Sequence, residues 1–178
     1  QDTADVEGIT REQMDEFAVS SLSKASKAIA DGTFVDEIAP VTVKDRKGEV
    51  IVDTDEGPGN AKPEKIPALR PAFKKDGTVT AANSSSISDG AAALVVMTAS
   101  KAAALGLTPL AKIVAHVTNA IKPEEFTVAP VGAIEKVFAK TGWTKDDVDL
   151  FEINEAFAMV TMLGVNKLGL DANKVNIK

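Results

Sequence analysis

Two short polar stretches contain the residues best suited to bind a ligand or to stabilise charge during a reaction. The first is Asn-Glu-Ala-Phe-Ala at residues 154–158, between the apolar run 150–153 and a longer helical pattern. Its first residue, Asn154, is expected at the carboxyl end of a strand, where ligands collect in open α/β folds. An amide side chain there can hold a water molecule or polarise a carbonyl group. The alternative is that Asn154 only caps the following helix, which is the commoner role of Asn at such a junction.

The second polar stretch is Asn-Ser-Ser-Ser-Ile-Ser-Asp-Gly at residues 83–90, just before three alanines. Its hydroxyl groups and backbone N–H groups could bind an anion or hydrogen-bond an amide of a ligand. They could also satisfy their own backbone, as Ser and Asx side chains often do in turns. Composition alone favours this second interpretation.

The elements that would position these residues follow from the hydrophobic periodicity. Residues 10–30 are predicted to form a helix, since Thr10 and Gln13 have capping-box spacing and apolar residues recur at helical intervals. Two valine-rich runs, 41–43 and 50–52, flank a polar turn and predict a β-hairpin. Residues 53–65 are expected to form a long irregular loop. Beyond residue 91 the pattern alternates and predicts strands at 92–97, 110–118, 150–153 and from 175, with helices at 99–105, 130–139 and 155–168.

Composition excludes several classes of protein and of site. The chain has 178 residues and a net charge of -6, and this acidic balance argues against a nucleic-acid-binding surface. No apolar run approaches the roughly 18 residues of a membrane span. The chain contains no cysteine, which excludes a disulfide, a thiolate metal site and a cysteine nucleophile within it. Its single histidine, His116, excludes a His-rich metal site and is expected to be a partly buried residue of a strand.

Six stretches, taken in order, resemble the thiolases, the acyl-CoA acyltransferase (acetyl-CoA acetyltransferase) family. They are Ile-Thr-Arg-Glu-Gln-Met-Asp-Glu-Phe-Ala (9–18), Phe-Val-Asp-Glu-Ile-Ala-Pro (34–40), Leu-Arg-Pro-Ala-Phe (69–73), Gly-Thr-Val-Thr-Ala-Ala-Asn-Ser-Ser (77–85), Asp-Gly-Ala-Ala-Ala (89–93) and the stretch at 154–158. The resemblance implies an α/β, thiolase-like fold with layered α-β-α-β-α order, here a partial one. Residues 1–82 would be the loop domain, 83–108 the end of the N-terminal α/β half, and 109–178 the first part of the C-terminal half.

The resemblance also implies roles for five residues. Ser85 matches the family serine that contacts the pantetheine arm of coenzyme A, and Ala156 and Phe157 match residues that line that tunnel. Asn154 matches the asparagine that positions a water forming part of an oxyanion hole for the thioester carbonyl. Phe126 falls where the family places an acyl-pocket side chain. The substrates implied are coenzyme A and its acyl thioesters, with no other cofactor and no metal. The family also implies a homo-oligomer, a dimer or tetramer. A location in the cytoplasm or an organelle matrix is expected because the first residues are acidic and lack the basic start of a signal or transit peptide.

The family mechanism requires a cysteine nucleophile, a histidine that activates it and a second cysteine that exchanges protons with the α-carbon. This chain has no cysteine, and His116 lies in the wrong motif to supply the histidine. We expect the nucleophile before Gln1 and the Gly-His-Pro and Cys-Gly-Gly motifs after Ile177. The parent protein would transfer acyl groups by Claisen condensation or thiolysis, and this chain alone would be inactive.

Two alternatives remain open. The first is a non-enzymatic module for coenzyme A binding or oligomerisation, suggested by Ser85 and the basic hairpin turn (Lys44, Arg46 and Lys47). The second is another condensing enzyme on the same fold.

Overall fold

The computed structural model describes residues 1–178, with the exception of the Asp45 side chain. The helices are α1 (Asp2–Glu7), α2 (Arg11–Ala30), α3 (Glu56–Asn60), α4 (Ala99–Ala104), α5 (Ala129–Thr141) and α6 (Ala158–Leu168). The strands are β1 (Val41–Asp45) and β2 (Gly48–Val52). Short 3₁₀ turns lie at Pro63–Ala68, Pro123–Val128, Lys145–Asp147 and Ala172–Lys174.

Helix α2 begins and ends where the local sequence signals predict. The Thr10 hydroxyl accepts the Gln13 N–H at 3.2 Å, and the Gln13 side chain accepts the Thr10 N–H at 2.9 Å, so the capping box is complete. At the other end Gly32 adopts a left-handed conformation with φ of 66°. Met14 is fully buried on the inner face of the helix. Burial of a side chain of this size stabilises a fold by about 1.5–3 kcal/mol.

Helix α6 lies at the centre of the molecule because two hydrophobic clusters use its opposite sides. Ala158, Met159 and Leu163 of α6 pack in one cluster with Ala4 of α1, Ile9 just before α2, Met14 of α2, and Val79. Val160 packs in a second cluster with Phe151, Ile153, Leu170 and Val175. Gly164 permits the close approach in this second cluster, since a Cβ there would lie 2.8 Å from Ile153 Cδ1. The start of α6 is therefore held on both sides.

The predicted β-hairpin is confirmed. Strands β1 and β2 pair antiparallel, with Val41 opposite Val52 and Lys44 opposite Glu49. The Lys44 ammonium lies 2.8 Å from the Glu49 carboxylate across the ladder. The helices predicted at 99–105 and 130–139 are also confirmed as α4 and α5, each followed by a left-handed glycine, Gly106 and Gly142.

The strands predicted at 92–97 and 110–118 are not formed within the described chain. Their apolar side chains are exposed, with Leu94 and Leu110 at 90 % and 105 % relative exposure. A strand requires ladder hydrogen bonds to a neighbour, and within the described residues these segments pair with no other strand. An apolar run predicts a strand from its composition, but it cannot predict where the neighbouring strand lies.

The predicted strands at 150–153 and from 175 do meet, but only through one parallel bridge between Phe151 and Val175. The ladder ends there because Asn176 has a positive φ of 46°, outside the extended region. The loop predicted at 53–65 is also partly wrong. It contains α3 and the start of a 3₁₀ turn, with the Asp55 carboxylate accepting the Gly57 N–H at 3.0 Å at the start of α3.

Candidate functional site

The two polar stretches identified in the sequence lie side by side. Ser84 and Phe157 form an isolated antiparallel bridge. Around it the Ser85 N–H donates to the Ala156 carbonyl at 3.1 Å, and the Ala158 N–H donates to the Asn83 carbonyl at 3.0 Å. The structure therefore brings Ser85, Ala156 and Phe157 together across a separation of about 70 residues in the chain.

This bridge explains why the helix prediction at 155–168 is wrong at its start. Helix α6 begins at Ala158, and its N-cap is Phe157, in extended conformation. Residues 156 and 158 give their backbone groups to residues 83–85 instead of to a first helical turn. Asn154 therefore lies four residues before the helix and is not its N-cap, so the capping interpretation of Asn154 is wrong.

The Asn154 side chain is exposed and makes no hydrogen bond to any side chain or backbone group that the structure describes. Its neighbours, by contrast, are held firmly. The backbone N–H and carbonyl of Ile153 each bond to the Asn176 amide at 2.8 Å. The Glu155 carbonyl accepts the Ser85 hydroxyl at 2.7 Å. The Asn154 amide thus projects from a fixed backbone with both its donor and its acceptor available.

Three phenylalanines surround a cavity of about 220 Å³ next to this segment. The Phe157 ring centroid lies 6.0 Å from that of Phe126 and 6.3 Å from that of Phe73. Thr127 and Met159 complete the inner wall. We call this cavity the aromatic pocket. Phe126 and Phe157 were proposed from sequence, whereas Phe73 was missed as a site residue, although it ends the Leu-Arg-Pro-Ala-Phe run.

A larger cavity of about 310 Å³ lies between α2 and the serine-rich turn. Ser21 and Leu22 of α2 form one wall, and Ser85 and Glu155 lie on the other. The Ser85 hydroxyl is exposed, and its hydrogen is used by the Glu155 carbonyl. Its oxygen keeps lone pairs, so Ser85 can still accept a hydrogen bond from a ligand amide.

The rest of the serine-rich turn partly follows the alternative interpretation, in which its side chains satisfy the local backbone. The Ser84 hydroxyl donates to the Thr80 carbonyl at 2.7 Å, and the Asn83 side-chain oxygen accepts the Thr80 N–H at 2.8 Å. Ser85 is the exception, because its partner lies on the opposite stretch. Local bonds shape the turn, and Ser85 joins it to the site.

An ion pair between a buried carboxylate and a partly buried guanidinium fixes this turn to helix α2, and sequence reasoning missed it. Asp15 is buried, and its carboxylate accepts the Arg11 Nε–H at 2.7 Å and the Asn83 amide N–H at 3.1 Å. Arg11 also donates to the carbonyls of Ile66 and Leu69, both at 3.0 Å. In the sequence Asp15 was indistinguishable from the solvent-facing acids of the helix, since its partner Asn83 lies 68 residues away.

The rim of the aromatic pocket includes Gln1, whose side-chain amide donates to Asp5 Oδ1 at 2.7 Å. The Lys74 ammonium donates to Asp5 Oδ2 at 2.9 Å. These two hydrogen bonds hold the pKa of Asp5 below its ordinary value, and the bond from Lys74 has the larger effect. The same contact with Asp5 raises the pKa of Lys74.

Replacing Lys74 with Met is expected to raise the Asp5 pKa toward its ordinary value, as measured by NMR titration of the Asp5 carboxyl group. Because the folded pKa lies below the unfolded one, the stabilisation from Asp5 is present above the unfolded pKa. It is lost as the pH falls through the folded pKa. Lys75→Met is the matched control. An Asp5 pKa that is equal in both variants would contradict this assignment.

His116 lies away from these groups and is exposed, so the expectation that it is partly buried is wrong. Its carbonyl accepts the Lys140 ammonium at 3.0 Å. Among the side chains that the structure describes, no three His, Asp or Glu residues come together as a metal site. None of the described helices is long and apolar enough to cross a bilayer.

Comparison with known proteins identifies the class to which this fold and site belong. Residues 1–100 match the family described as Thiolase, N-terminal domain, and residues 107–178 match Thiolase, C-terminal domain. The chain belongs to the thiolase family, as the sequence motifs predicted.

Individual relatives agree with this assignment. The chain is 50 % identical over 172 residues to an acetyl-CoA acetyltransferase of Yarrowia lipolytica, covering 97 % of this chain and 43 % of the relative. It is 52 % identical over 174 residues to the mitochondrial acetyl-CoA acetyltransferase FG05087 of Gibberella zeae, covering 94 % of this chain and 40 % of the relative.

A solved structure, the Acat5 thiolase of Ascaris suum in complex with coenzyme A, superposes with a TM-score of 0.92 at 39 % identity. The match covers 99 % of this chain and 45 % of that one. The predicted α/β thiolase-like fold is therefore confirmed. The chain spans less than half the length of these three proteins.

Proposed function

We propose that this chain is one portion of a thiolase that transfers acetyl or acyl groups between coenzyme A thioesters by thiolysis or Claisen condensation. One observation carries the proposal. The serine-rich turn and the Asn-Glu-Ala-Phe-Ala stretch pair directly. Within that stretch the Asn154 side chain is exposed, and Phe157 lines the aromatic pocket. Coenzyme A thioesters are the substrates, and the proposal requires no other cofactor and no metal.

In this proposal Asn154 stabilises negative charge on the thioester oxygen. Attack on the thioester carbonyl, or removal of a proton from the adjacent α-carbon, places charge on that oxygen. An amide N–H held in position, acting directly or through a water molecule, lowers the energy of the charged state without having to reorganise. The amide carries no titratable proton, so Asn154 is neither the nucleophile nor the base.

Ser85 contacts the pantetheine arm in this proposal. Ser85 is exposed next to the Ser84–Phe157 bridge, and its hydroxyl oxygen can accept an N–H from one of the arm's amides. The complete protein, meaning a thiolase that carries this chain, is expected to bind coenzyme A in calorimetry. Ser85→Trp would weaken that binding strongly, and Ser100→Trp in α4 would not. Equal affinity in the two variants would remove Ser85 from the site.

The aromatic pocket holds the acyl end of the substrate in this proposal. Phe126→Ala is expected to widen it, so that kcat/KM for longer acyl-CoA substrates rises relative to that for acetoacetyl-CoA. One methylene in an apolar pocket changes binding by about 1–3 kcal/mol, or roughly 10- to 200-fold. Phe34→Ala, at an exposed aromatic outside the pocket, is the control. An unchanged substrate preference would place the acyl group elsewhere.

We further propose that this chain alone is catalytically inactive, because it contains neither of the two cysteines that the thiolase mechanism uses. The second candidate, a non-enzymatic module for coenzyme A binding or oligomerisation, rests on Ser85 and the basic residues of the hairpin turn. Thiolysis by the complete protein distinguishes the two, since a non-enzymatic module would bind coenzyme A and cleave nothing.

Assembly and location stay predictions. A homo-oligomer is expected on family grounds, as is a place in fatty acid metabolism. A location in the cytoplasm or an organelle matrix is expected, and the second has the support of the mitochondrial relative. The division into residues 1–82, 83–108 and 109–178 is likewise a proposal about the folding units of the chain.

A further inference from the structure

Asn176 is buried, at 8 % exposure, and adopts the left-handed conformation that few residues other than Gly tolerate. Its side chain makes three hydrogen bonds. The amide oxygen accepts the Ile153 N–H, and the amide nitrogen donates to the Ile153 carbonyl and to Glu155 Oε1, each at 2.8 Å. Asn176 therefore contacts the residue on each side of Asn154.

Next to the site, the Asn176 side chain makes the hydrogen bonds that a paired strand backbone would otherwise make. Up to Phe151 the parallel pairing is made by backbone groups, since the Asn176 N–H donates to the Phe151 carbonyl at 2.9 Å. At Ile153 the same two bonds are made by the Asn176 amide. The left-handed backbone turns the chain away, and the side chain completes the pairing that the backbone can no longer make.

Helix α2 supports this arrangement from the other side. The Ser21 hydroxyl donates to Glu155 Oε2 at 2.6 Å, so the Glu155 carboxylate is held between Ser21 and Asn176. The Lys24 ammonium donates to the Asn176 carbonyl at 2.8 Å. All of these bonds fix the backbone around Asn154 and leave the Asn154 amide free.

We propose that Asn176 is a positioning residue for Asn154, acting with Ser21 through the Glu155 carboxylate. This inference rests on the proposed function, in which the Asn154 amide faces the thioester oxygen. A displacement of about 1 Å in a positioned group can lower a rate on the order of 100-fold. Without the Asn176 amide, the backbone on either side of Asn154 would be less firmly held. The Asn154 amide would then no longer be directed at the thioester oxygen.

Asn176→Gly in the complete protein tests the proposal. Glycine keeps the left-handed backbone and removes only the amide. The expected result is a fall in kcat for acetoacetyl-CoA thiolysis of at least about tenfold, with KM for coenzyme A near the wild-type value. Asn173→Gly, in the exposed turn at Ala172–Lys174, is the matched control and should leave kcat unchanged.

A double-mutant cycle separates positioning from a general structural role. In an Asn154→Ala background, Asn176→Gly should cause no further loss of kcat, because the group that it positions has gone. The same loss in both backgrounds would show that Asn176 acts through the fold, and the proposal would be overturned. If Asn154→Ala alone had no effect on kcat, the proposed role of Asn154 would fail first and this inference with it.

Ser21→Ala provides the second variant in case Asn176→Gly does not fold. It removes one bond to Glu155 on a helix, where Ala has the higher propensity, so the fold is expected to persist. A smaller fall in kcat that disappears in the Asn154→Ala background supports the proposal. An unchanged kcat, or a fall that persists in that background, would contradict the route through Glu155.

Discussion

Asn154→Ala in the complete protein is expected to lower kcat for thiolysis by about 100- to 1000-fold, which is the usual effect of removing one donor to a developing oxyanion. The fold should be unaffected, because the Asn154 side chain is exposed and makes no hydrogen bond within the described structure. KM for coenzyme A should change little, since the lost interaction strengthens only in the transition state.

The matched control is Asn173→Ala, an exposed asparagine whose side-chain amide donates to Asp171 two residues earlier. Its kcat should equal that of the wild type. A kcat for Asn154→Ala within a few-fold of wild type, with the protein folded, would remove Asn154 from the reaction. A large rise in KM with unchanged kcat would instead assign it to substrate binding.

Asp15→Ala is expected to have the largest effect on stability, about 1–3 kcal/mol, because it leaves the buried Asn83 amide and the partly buried Arg11 guanidinium without their carboxylate partner. Arg11 would keep its two bonds to carbonyl groups, but its charge and the Asn83 amide would each lose a carboxylate partner. The serine-rich turn, held to α2 through Asn83, should loosen with it.

Urea unfolding of the 178-residue chain, followed by circular dichroism, measures this difference. The control is Glu16→Ala, one position further along the same helix and exposed. It should shift the free energy of unfolding by no more than about 0.5 kcal/mol. If the two variants unfold at the same urea concentration, the Asp15 network is not what fastens the turn to the helix.

Helices α2, α4 and α5 could be predicted because their signals are local. The capping box at Thr10, the left-handed Gly32 and Gly142, and the apolar period of α2 and α5 all lie within a few residues of the element that they define. The hairpin follows the same rule, since its two strands are neighbours in the chain. The thiolase motifs predicted the overall fold, which these local signals alone do not specify.

The errors at the strands and at the candidate site involve partners distant in sequence. Asn154 was predicted to cap a helix because nothing in its own stretch indicates that residues 156 and 158 pair with residues 83–85. Asn176 was predicted to lie in a strand, and its positive φ and side-chain bonds to Ile153 depend on a segment 23 residues earlier. The strands at 92–97 and 110–118 failed because a strand exists only with a neighbour.

The residues of the candidate site also fall into two groups, those that sequence motifs identify and those that they do not. The residues that face a ligand, Asn154, Ser85, Phe126 and Phe157, could be named from motifs. Those that hold them in place could not, because Ser21, Asp15 and Asn176 act through hydrogen bonds to residues distant in the chain.

The central claim is that this chain forms one wall of a thiolase active site but lacks its reactive groups. The most direct test is thiolysis of acetoacetyl-CoA by coenzyme A, followed as loss of the acetoacetyl thioester. The complete protein is predicted to cleave the substrate, and the 178-residue chain alone is predicted to show no turnover above the uncatalysed rate. Turnover by the chain alone at a rate that Asn154→Ala abolishes would contradict the account.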